Sequence, residues 1–167
     1  DGPYPATLLD GVTLRIRADK QVTRGRAAIL KAYYLRNSQD EQLKEVMTVE
    51  LNEQSCYLPY VLGRRFAVLE AVQQQANPNI NTTIKDRYFN SASATPATVF
   101  PQLINLAQKH LAKLDGGLAA YYNKRITELN SRITQTLPAR LCLSEQSAFQ
   151  IGYYHETQKR YAKKEEL

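Results

Sequence analysis

Apolar residues recur at helical spacing over LPYVLGRRFAVLEAVQQQA, residues 58–76. Leu62, Phe66 and Leu69 follow one another at three- and four-residue steps, which places them on one side of a helix. The NPN sequence at 77–79 should end this amphipathic helix, because a proline restricts the preceding residue away from helical backbone angles. A chain built from such stretches, without alternating strand patterns, predicts helices packed on helices.

Other stretches repeat the helical pattern. Their apolar spacing and end signals predict further helices at 6–19, 23–37, 83–90, 95–114 and 118–136, and from Ser144 into the C-terminal tail. Thr95 followed by Pro96 is typical of a helix start, because the cap oxygen accepts free amides. Pro101 should kink or restart that helix. Only residues 137–143 are compatible with an extended strand. The predicted fold class is all-α: an antiparallel bundle of about five helices, preceded by two N-terminal helices.

The stretch from residue 38 to residue 55 shows no clear period and is rich in acidic side chains, whereas its flanks are basic. The only methionine, Met47, lies within it. Because the first residue is Asp1 and not methionine, we expect the chain to be a piece of a longer polypeptide. The predicted organisation is an N-terminal helical pair at 1–38, an acidic linker at 39–56 and a helical bundle at 57–167.

Motifs that carry catalysis or metal binding are missing from the sequence. It contains no HExxH, GxSxG or CxxC motif. His110 lies on an apolar helix face, where a histidine is more often a hydrogen-bonded interior residue than a base or a ligand. Cys56 and Cys142 are unsuited to a zinc cluster, and we interpret Cys56 as a small packing residue. We therefore expect no enzymatic activity, no cofactor and no metal.

The expected location is cytoplasmic. No apolar run approaches the roughly 20 residues that a membrane span needs, and no signal-peptide pattern opens the chain. Two cysteines are too few for a disulfide framework and suit a reducing compartment.

The stretch KDRYFNSASATP at 85–96 joins two predicted helices. Its small hydroxylated residues suit helix capping and close packing. It contains no glycine, which excludes a P-loop. We interpret it as an interhelical hinge at which Lys85 and Arg87 are presented to an anionic strand or to a neighbouring subunit.

The formal net charge of +6 makes a polyanionic partner plausible. Lys109 and Lys113 lie one turn apart beside the apolar face of their helix, and Arg125 and Arg132 flank the core of the next helix. Two such strips on consecutive antiparallel helices could line one groove for nucleic acid. A solvated face with ordinary ion pairs is the alternative, since Glu128 lies three residues after Arg125 and four before Arg132.

Two adjacent arginines, Arg64 and Arg65, lie near the start of the helix predicted at 58–76. Cations there are disfavoured by the helix dipole, and an external anion would remove that cost. This placement favours a binding role. The complete set of candidate phosphate contacts is Arg64, Arg65, Lys85, Arg87, Lys109, Lys113, Lys124, Arg125 and Arg132.

Tyrosines and cations alternate along the last predicted helix. Tyr153, Tyr154 and Tyr161 lie close in sequence to Lys159 and Arg160. Aromatic rings beside cations suit base stacking and phosphate contact. Tyrosines at helical spacing are, however, more often partly buried with a solvated hydroxyl.

Four segments carry a resemblance to a known family: RGRAAILKAYYLRN at 24–37, YVLGRRFAVLEAVQ at 60–73, INTTIKDRYFNSASATPATVFPQLINLAQKHLAKL at 80–114 and SEQSAFQIGYYHETQ at 144–158. Together they resemble the C-terminal region of the large subunit of the type I-C CRISPR interference complex, the Cascade of bacterial adaptive immunity. The resemblance covers nearly the whole chain. Asn90 departs from it, because glycine is expected there.

The resemblance implies a non-catalytic module of an RNA-guided surveillance complex in antiviral defence. The C-terminal bundle of this family is similar to a separate small subunit that supports the displaced non-target DNA strand during R-loop formation. The same reading frame also yields that small subunit by internal initiation, and our hypothesis is that Met47 is the start. Cleavage of DNA is assigned to a recruited helicase-nuclease.

The partners that the resemblance implies are the other Cascade subunits, CRISPR RNA and target DNA, chiefly its non-target strand. Those subunits would be backbone subunits, the remainder of the large subunit and copies of the small subunit. Phosphate contacts would fix position without reading sequence, because guide pairing supplies specificity. The alternative is a protein-protein scaffolding module without direct DNA contact, whose cations meet acidic surfaces of neighbouring subunits.

Overall fold

The computed structural model describes residues 41–46 and 50–165, with side chains up to Tyr161. This part of the chain contains six helices and no strand, which confirms the all-α prediction. The helices predicted at 6–19 and 23–37, and Met47, lie outside the described residues. The six helices are α1 (Glu41–Val46), α2 (Leu58–Ala76), α3 (Ile84–Ala94), α4 (Pro96–Leu111), α5 (Gly116–Ser131) and α6 (Leu143–Glu165).

Helix α2 is the central element of the bundle. Its bounds are those predicted, and every residue from Leu58 to Gln73 is buried. Phe66 belongs to a cluster with Phe89 of α3 and Phe149 of α6, while Val68 belongs to a second cluster around α5. The prediction of an amphipathic helix was therefore wrong in one respect, since α2 is enclosed on all sides and not on one face.

Two glycines allow α2 and α6 to approach each other closely. A Cβ atom on Gly63 would overlap the backbone carbonyl of Phe149, and one on Gly152 would overlap the carbonyl of Tyr60. A further contact between the two helices joins Arg160 to Gln74, where Nη2 donates to Oε1 at 3.1 Å. This central pair of helices therefore crosses at its glycines.

Helices α3 and α4 are joined at a single residue, Thr95. Thr83 and Asp86 form a capping box that starts α3, and α3 continues four residues beyond the predicted end. Thr95 does not cap α4, because its hydroxyl donates to the carbonyl of Ser91 at 3.0 Å. Helix α4 also continues through Pro101. The interhelical hinge is thus helical on both sides of Thr95.

The connections around α5 follow from its caps. Asp115 accepts a hydrogen bond from the amide of Leu118 at 2.9 Å and starts α5 two residues earlier than predicted. Residues 137–143 form no strand before α6 begins at Leu143. Ser144 is helical and not the cap, whereas Glu145 accepts a hydrogen bond from the amide of Cys142.

The short helix α1 lies within the segment that we predicted as an acidic linker. Its Leu43 and Val46 are fully buried, and α1 packs against α6. Apolar packing therefore ties this segment to the bundle. The division of the chain into an N-terminal pair, a linker and a bundle stays a prediction. Within the described ranges, no helix is both long and apolar enough to cross a membrane.

Candidate nucleic-acid interface

Arg64, a predicted phosphate contact, lies inside the bundle with only 1% of its surface exposed. Its Nε donates to Oε2 of Glu156 at 3.0 Å, and its Nη1 donates to the carbonyls of Asn52 and Glu53 at 3.0 and 3.3 Å. The anion that removes the helix-dipole cost is therefore Glu156 of the same chain. Arg64 is not accessible to an external phosphate in this structure.

Arg65 is also buried, with 8% of its surface exposed, but it has a different environment. Its guanidinium lies over the ring of Phe100, 5.7 Å from the ring centroid. The buried Nε has no hydrogen-bond partner, and no ion pair joins Arg65 to another described residue. Burial lowers the pKa of Arg65, since a charge in the interior loses its hydration.

Glu156 is the centre of a charged network that joins α2, α5 and α6. Besides Arg64 it binds Arg125, whose Nε donates to Oε1 at 2.8 Å and whose Nη2 donates to Oε2 at 2.9 Å. Arg125 also pairs with Glu128 at 3.1 Å, as the solvated-face alternative predicted. Burial alone would lower the pKa of Arg125, but hydrogen bonds to Glu156 and Glu128 outweigh it and raise the pKa. We refer to Arg64, Arg125, Glu128 and Glu156 as the Glu156 network.

The loop before α2 is tied to this network. Glu53 lies 3.8 Å from Nη2 of Arg125 and pairs with Lys159. The amide of Asn52 donates to the hydroxyl of Tyr60 at 3.1 Å, and Tyr60 in turn hydrogen-bonds Nδ1 of His155 at 2.9 Å. These groups are bonded to one another within the fold, so they hold elements together and do not present a reactive atom.

Lys85, predicted to face an anionic strand, is half-buried among aromatic rings instead. Its Nζ lies 4.7 Å from the ring centroid of Tyr153, 5.3 Å from that of Tyr154 and 5.7 Å from that of Phe89. Rings at these distances attract a cation through their negative faces. Lys85 thus helps to join α3 to α6, and the tyrosines of the last helix are partly used in this packing.

The remaining predicted contacts differ in exposure. Arg132 is half-buried, and its Nη2 donates to Oε1 of Gln54 at 3.3 Å. Four predicted cations are exposed and have no ion pair to another residue of the described part: Arg87, Lys109, Lys113 and Lys124. We refer to these four side chains as the free cations. They lie on or directly after three different helices, α3, α4 and α5.

A half-open cavity of about 310 Å³ lies between α2, α5 and α6. Its floor is formed by small apolar residues of α2, and Tyr121 at its side is 52% exposed. Lys124 and Arg160 lie on its lining. Arg160 was not among the predicted contacts. The alternation of tyrosine and cation in the last helix drew attention to it, but spacing within one helix could not place it at the same cavity as Lys124.

Two side chains that could support chemistry, His110 and Tyr153, are hydrogen-bonded within the fold. His110 is part-buried, with Nδ1 at 3.1 Å from Nδ2 of Asn77. Tyr153 donates to Oε2 of Glu70 at 2.5 Å. No group of three His, Cys, Asp or Glu residues that could hold a metal ion occurs among the residues described. The packing interpretation of Cys56 was wrong, because Cys56 is exposed.

Comparison with known proteins identifies one family. Residues 1–161 match the model of a family described as CRISPR-associated protein (Cas_Csd1). The match includes nearly all of the described bundle and the residues that precede it. No curated protein matches the chain.

Proposed function

The chain belongs to the Cas_Csd1 family of CRISPR-associated proteins, and we propose that it is a non-catalytic module of an RNA-guided surveillance complex that binds the displaced non-target DNA strand. The proposal includes the finer assignment to the C-terminal part of a type I-C large subunit, also made separately as the small subunit. A cytoplasmic site of action and the partners named above belong to the same proposal.

This proposal depends on one observation: Arg64 and Arg125 are paired with carboxylates of the same chain, whereas the exposed free cations pair with no carboxylate of the described residues. The carboxylates of the Glu156 network hold Arg64 and Arg125, so the acidic groups nearest to these arginines are already used. The free cations have no such partner in the described part of the chain. Exposed, unpaired cations around a rigid bundle suit a polyanion whose phosphates release counterions on binding.

The fold favours contacts to DNA phosphates, which position the strand, over contacts to base edges, which recognise its sequence. The free cations are exposed and lie on or directly after three different helices, as dispersed phosphate contacts would. In RNA-guided systems the guide supplies specificity and the protein stabilises the displaced strand. A scaffold with few, dispersed cations is sufficient for that task.

A second candidate function is protein-protein scaffolding without DNA contact. Leu118 and Tyr121 lie one turn apart on α5 and are 39% and 52% exposed. Exposed apolar side chains of this kind are common where a subunit docks. The free cations would then meet acidic surfaces of neighbouring subunits.

The two functions predict different effects of salt: DNA binding predicts that salt weakens DNA retention, and scaffolding predicts that it weakens retention of the subunit in the complex. We would purify the assembled complex with Lys109→Glu and Lys113→Glu, and titrate salt while measuring subunit retention and DNA retention separately. The proposal predicts that DNA retention weakens while subunit retention stays as in wild type. Loss of the subunit with unchanged DNA retention per assembled complex would support scaffolding. Lys44→Glu is the control, since Lys44 is already paired with Glu41 at 2.6 Å on α1.

A further inference from the structure

The cavity between α2, α5 and α6 combines an apolar floor with an exposed aromatic ring. Ala67, Val68 and Ala71 contribute its floor, and each is at most 4% exposed. Tyr121 is exposed, but its ring packs edge-to-face on buried Tyr122, with ring centroids 5.2 Å apart. A ring held by a buried neighbour is a preorganised stacking surface, because little side-chain freedom disappears when a ligand lies on it.

The cationic side chains that line the cavity are not all paired with carboxylates of the described residues. Three carboxylates line it, and each has a partner among the neighbouring cations: Glu128 and Glu156 bind Arg125, and Glu53 pairs with Lys159. Lys124 has no ion pair in the described ranges. Arg160 is bonded by its Nη2 only to neutral acceptors, Oε1 of Gln74 at 3.1 Å and the hydroxyl of Tyr161 at 3.4 Å.

We propose that this cavity takes one unstacked base of a single-stranded nucleic acid, with Tyr121 stacking on the base and with Lys124 and Arg160 binding the flanking phosphates. This inference rests on the proposed function and deepens it, because it assigns a base-binding subsite to a surface otherwise held to contact phosphates alone. Base-aromatic stacking tolerates every base, so the subsite adds affinity without sequence preference.

Size and composition favour a base with its flanking phosphates over a ligand that offers only negative charge. A volume of about 310 Å³ lies at the small end of ligand pockets, which span roughly 300–1,000 Å³. It is large enough for one base. An acidic peptide side chain would satisfy Lys124 and Arg160, but it would leave the apolar floor and the face of Tyr121 uncovered.

The test compares two oligonucleotides on the full chain: oligothymidylate, and an abasic strand with the same sugar-phosphate backbone. We expect wild type to bind the oligothymidylate about 5- to 150-fold more tightly, the range that one stacked base supplies. Tyr121→Leu should remove most of this difference while leaving abasic binding unchanged. Tyr121→Phe is the matched control, because it keeps the ring and should keep the difference. Circular dichroism of each variant would confirm that the fold is retained.

The outcomes separate this inference from the function on which it rests. Equal binding of both oligonucleotides by wild type overturns the base subsite and leaves strand binding intact. If wild type binds neither oligonucleotide, both the base subsite and the proposed strand binding are overturned. A second measurement locates the base: oligonucleotides carrying 5-iodouracil are photo-crosslinked and the modified peptide is identified. A crosslink at Tyr121 supports the subsite, and crosslinks confined to α4 contradict it.

Discussion

Arg64 of α2 donates its Nε hydrogen to Glu156 of α6 at 3.0 Å, and the two side chains are 1% and 9% exposed. The same carboxylate binds Arg125 of α5 with both oxygens. One acidic residue therefore connects three helices through two guanidinium groups. Because these charges lie in the interior, the network is sensitive to the removal of any one partner.

Replacing Arg64 should destabilise the bundle strongly. Arg64→Ala leaves part of the Glu156 charge unmatched and frees the carbonyls of Asn52 and Glu53, so we expect the free energy of unfolding to fall by about 3–5 kcal/mol. Urea unfolding monitored by circular dichroism would measure it. Arg87→Ala is the control, because Arg87 is exposed and should change stability by less than about 0.5 kcal/mol. Equal effects of the two substitutions would contradict the role of the network.

Arg65 should behave in the opposite way to its neighbour. Its guanidinium is buried without an ion pair to any described residue, so Arg65→Met removes the cost of an unmatched charge and keeps the apolar packing on Phe100. We expect stability to rise by about 1–3 kcal/mol, measured as a higher midpoint in thermal unfolding. A clear fall in the midpoint would show that Arg65 has a stabilising partner.

The crossing of α2 and α6 should not tolerate a side chain at either glycine. Gly63→Ala or Gly152→Ala places a methyl group against the backbone of the opposite helix, where no side chain can move aside, and should cost about 3 kcal/mol. Gly116→Ala provides the comparison, because nothing lies within 4 Å of its added Cβ. That substitution should be neutral or stabilising by up to about 1 kcal/mol. The helical signal of the purified variants and their unfolding midpoints would decide.

Alkaline pH should destabilise the fold through Tyr60. Burial raises the pKa of Tyr60 to about 12, from 10.0 in an exposed tyrosine, because the phenolate loses its hydration. The folded state then holds the proton more tightly than the unfolded state. The resulting stability is fully present below pH 10 and disappears as the pH rises towards 12. A shift of this size corresponds to about 3 kcal/mol.

The measurement for this effect is urea unfolding across that pH interval. Tyr60→Phe should show a shallower decline than wild type, although Tyr153, whose pKa burial also raises, keeps part of it. An identical pH profile for wild type and variant would exclude Tyr60 as a source.

The sequence predicted five of the six described helices but not the partners of their charged side chains. The bounds of α2 follow from apolar spacing and Pro78, and those of α6 lie within a residue or two of the prediction, because both signals are local. The partner of Arg64 is 92 residues away, and no local pattern shows which carboxylate a folded chain will bring to it. The helix-dipole argument predicted an external anion beside Arg64, whereas the anion found there is Glu156 of the same chain.

Packing between distant helices also decided the environment of Lys85. The residues next to Lys85 in sequence suggested an exposed hinge. Two of the aromatic rings that surround its ammonium group, however, belong to Tyr153 and Tyr154 in the last helix. The cavity beside Tyr121 is likewise formed by three helices that are separated in sequence. Predictions that depended on exposure therefore failed where tertiary contacts covered the side chain. For the four free cations, phosphate binding stays a prediction.

The most direct test of the account is the salt dependence of displaced-strand binding in the assembled complex with an opened target. We compare wild type with a variant in which Arg87, Lys109, Lys113 and Lys124 are all changed to Glu. Affinity should fall, and the slope of log K against log salt should become shallower by about 0.7 for each phosphate that the variant no longer neutralises. An affinity and a salt slope equal to those of wild type would contradict the claim that these cations hold the strand.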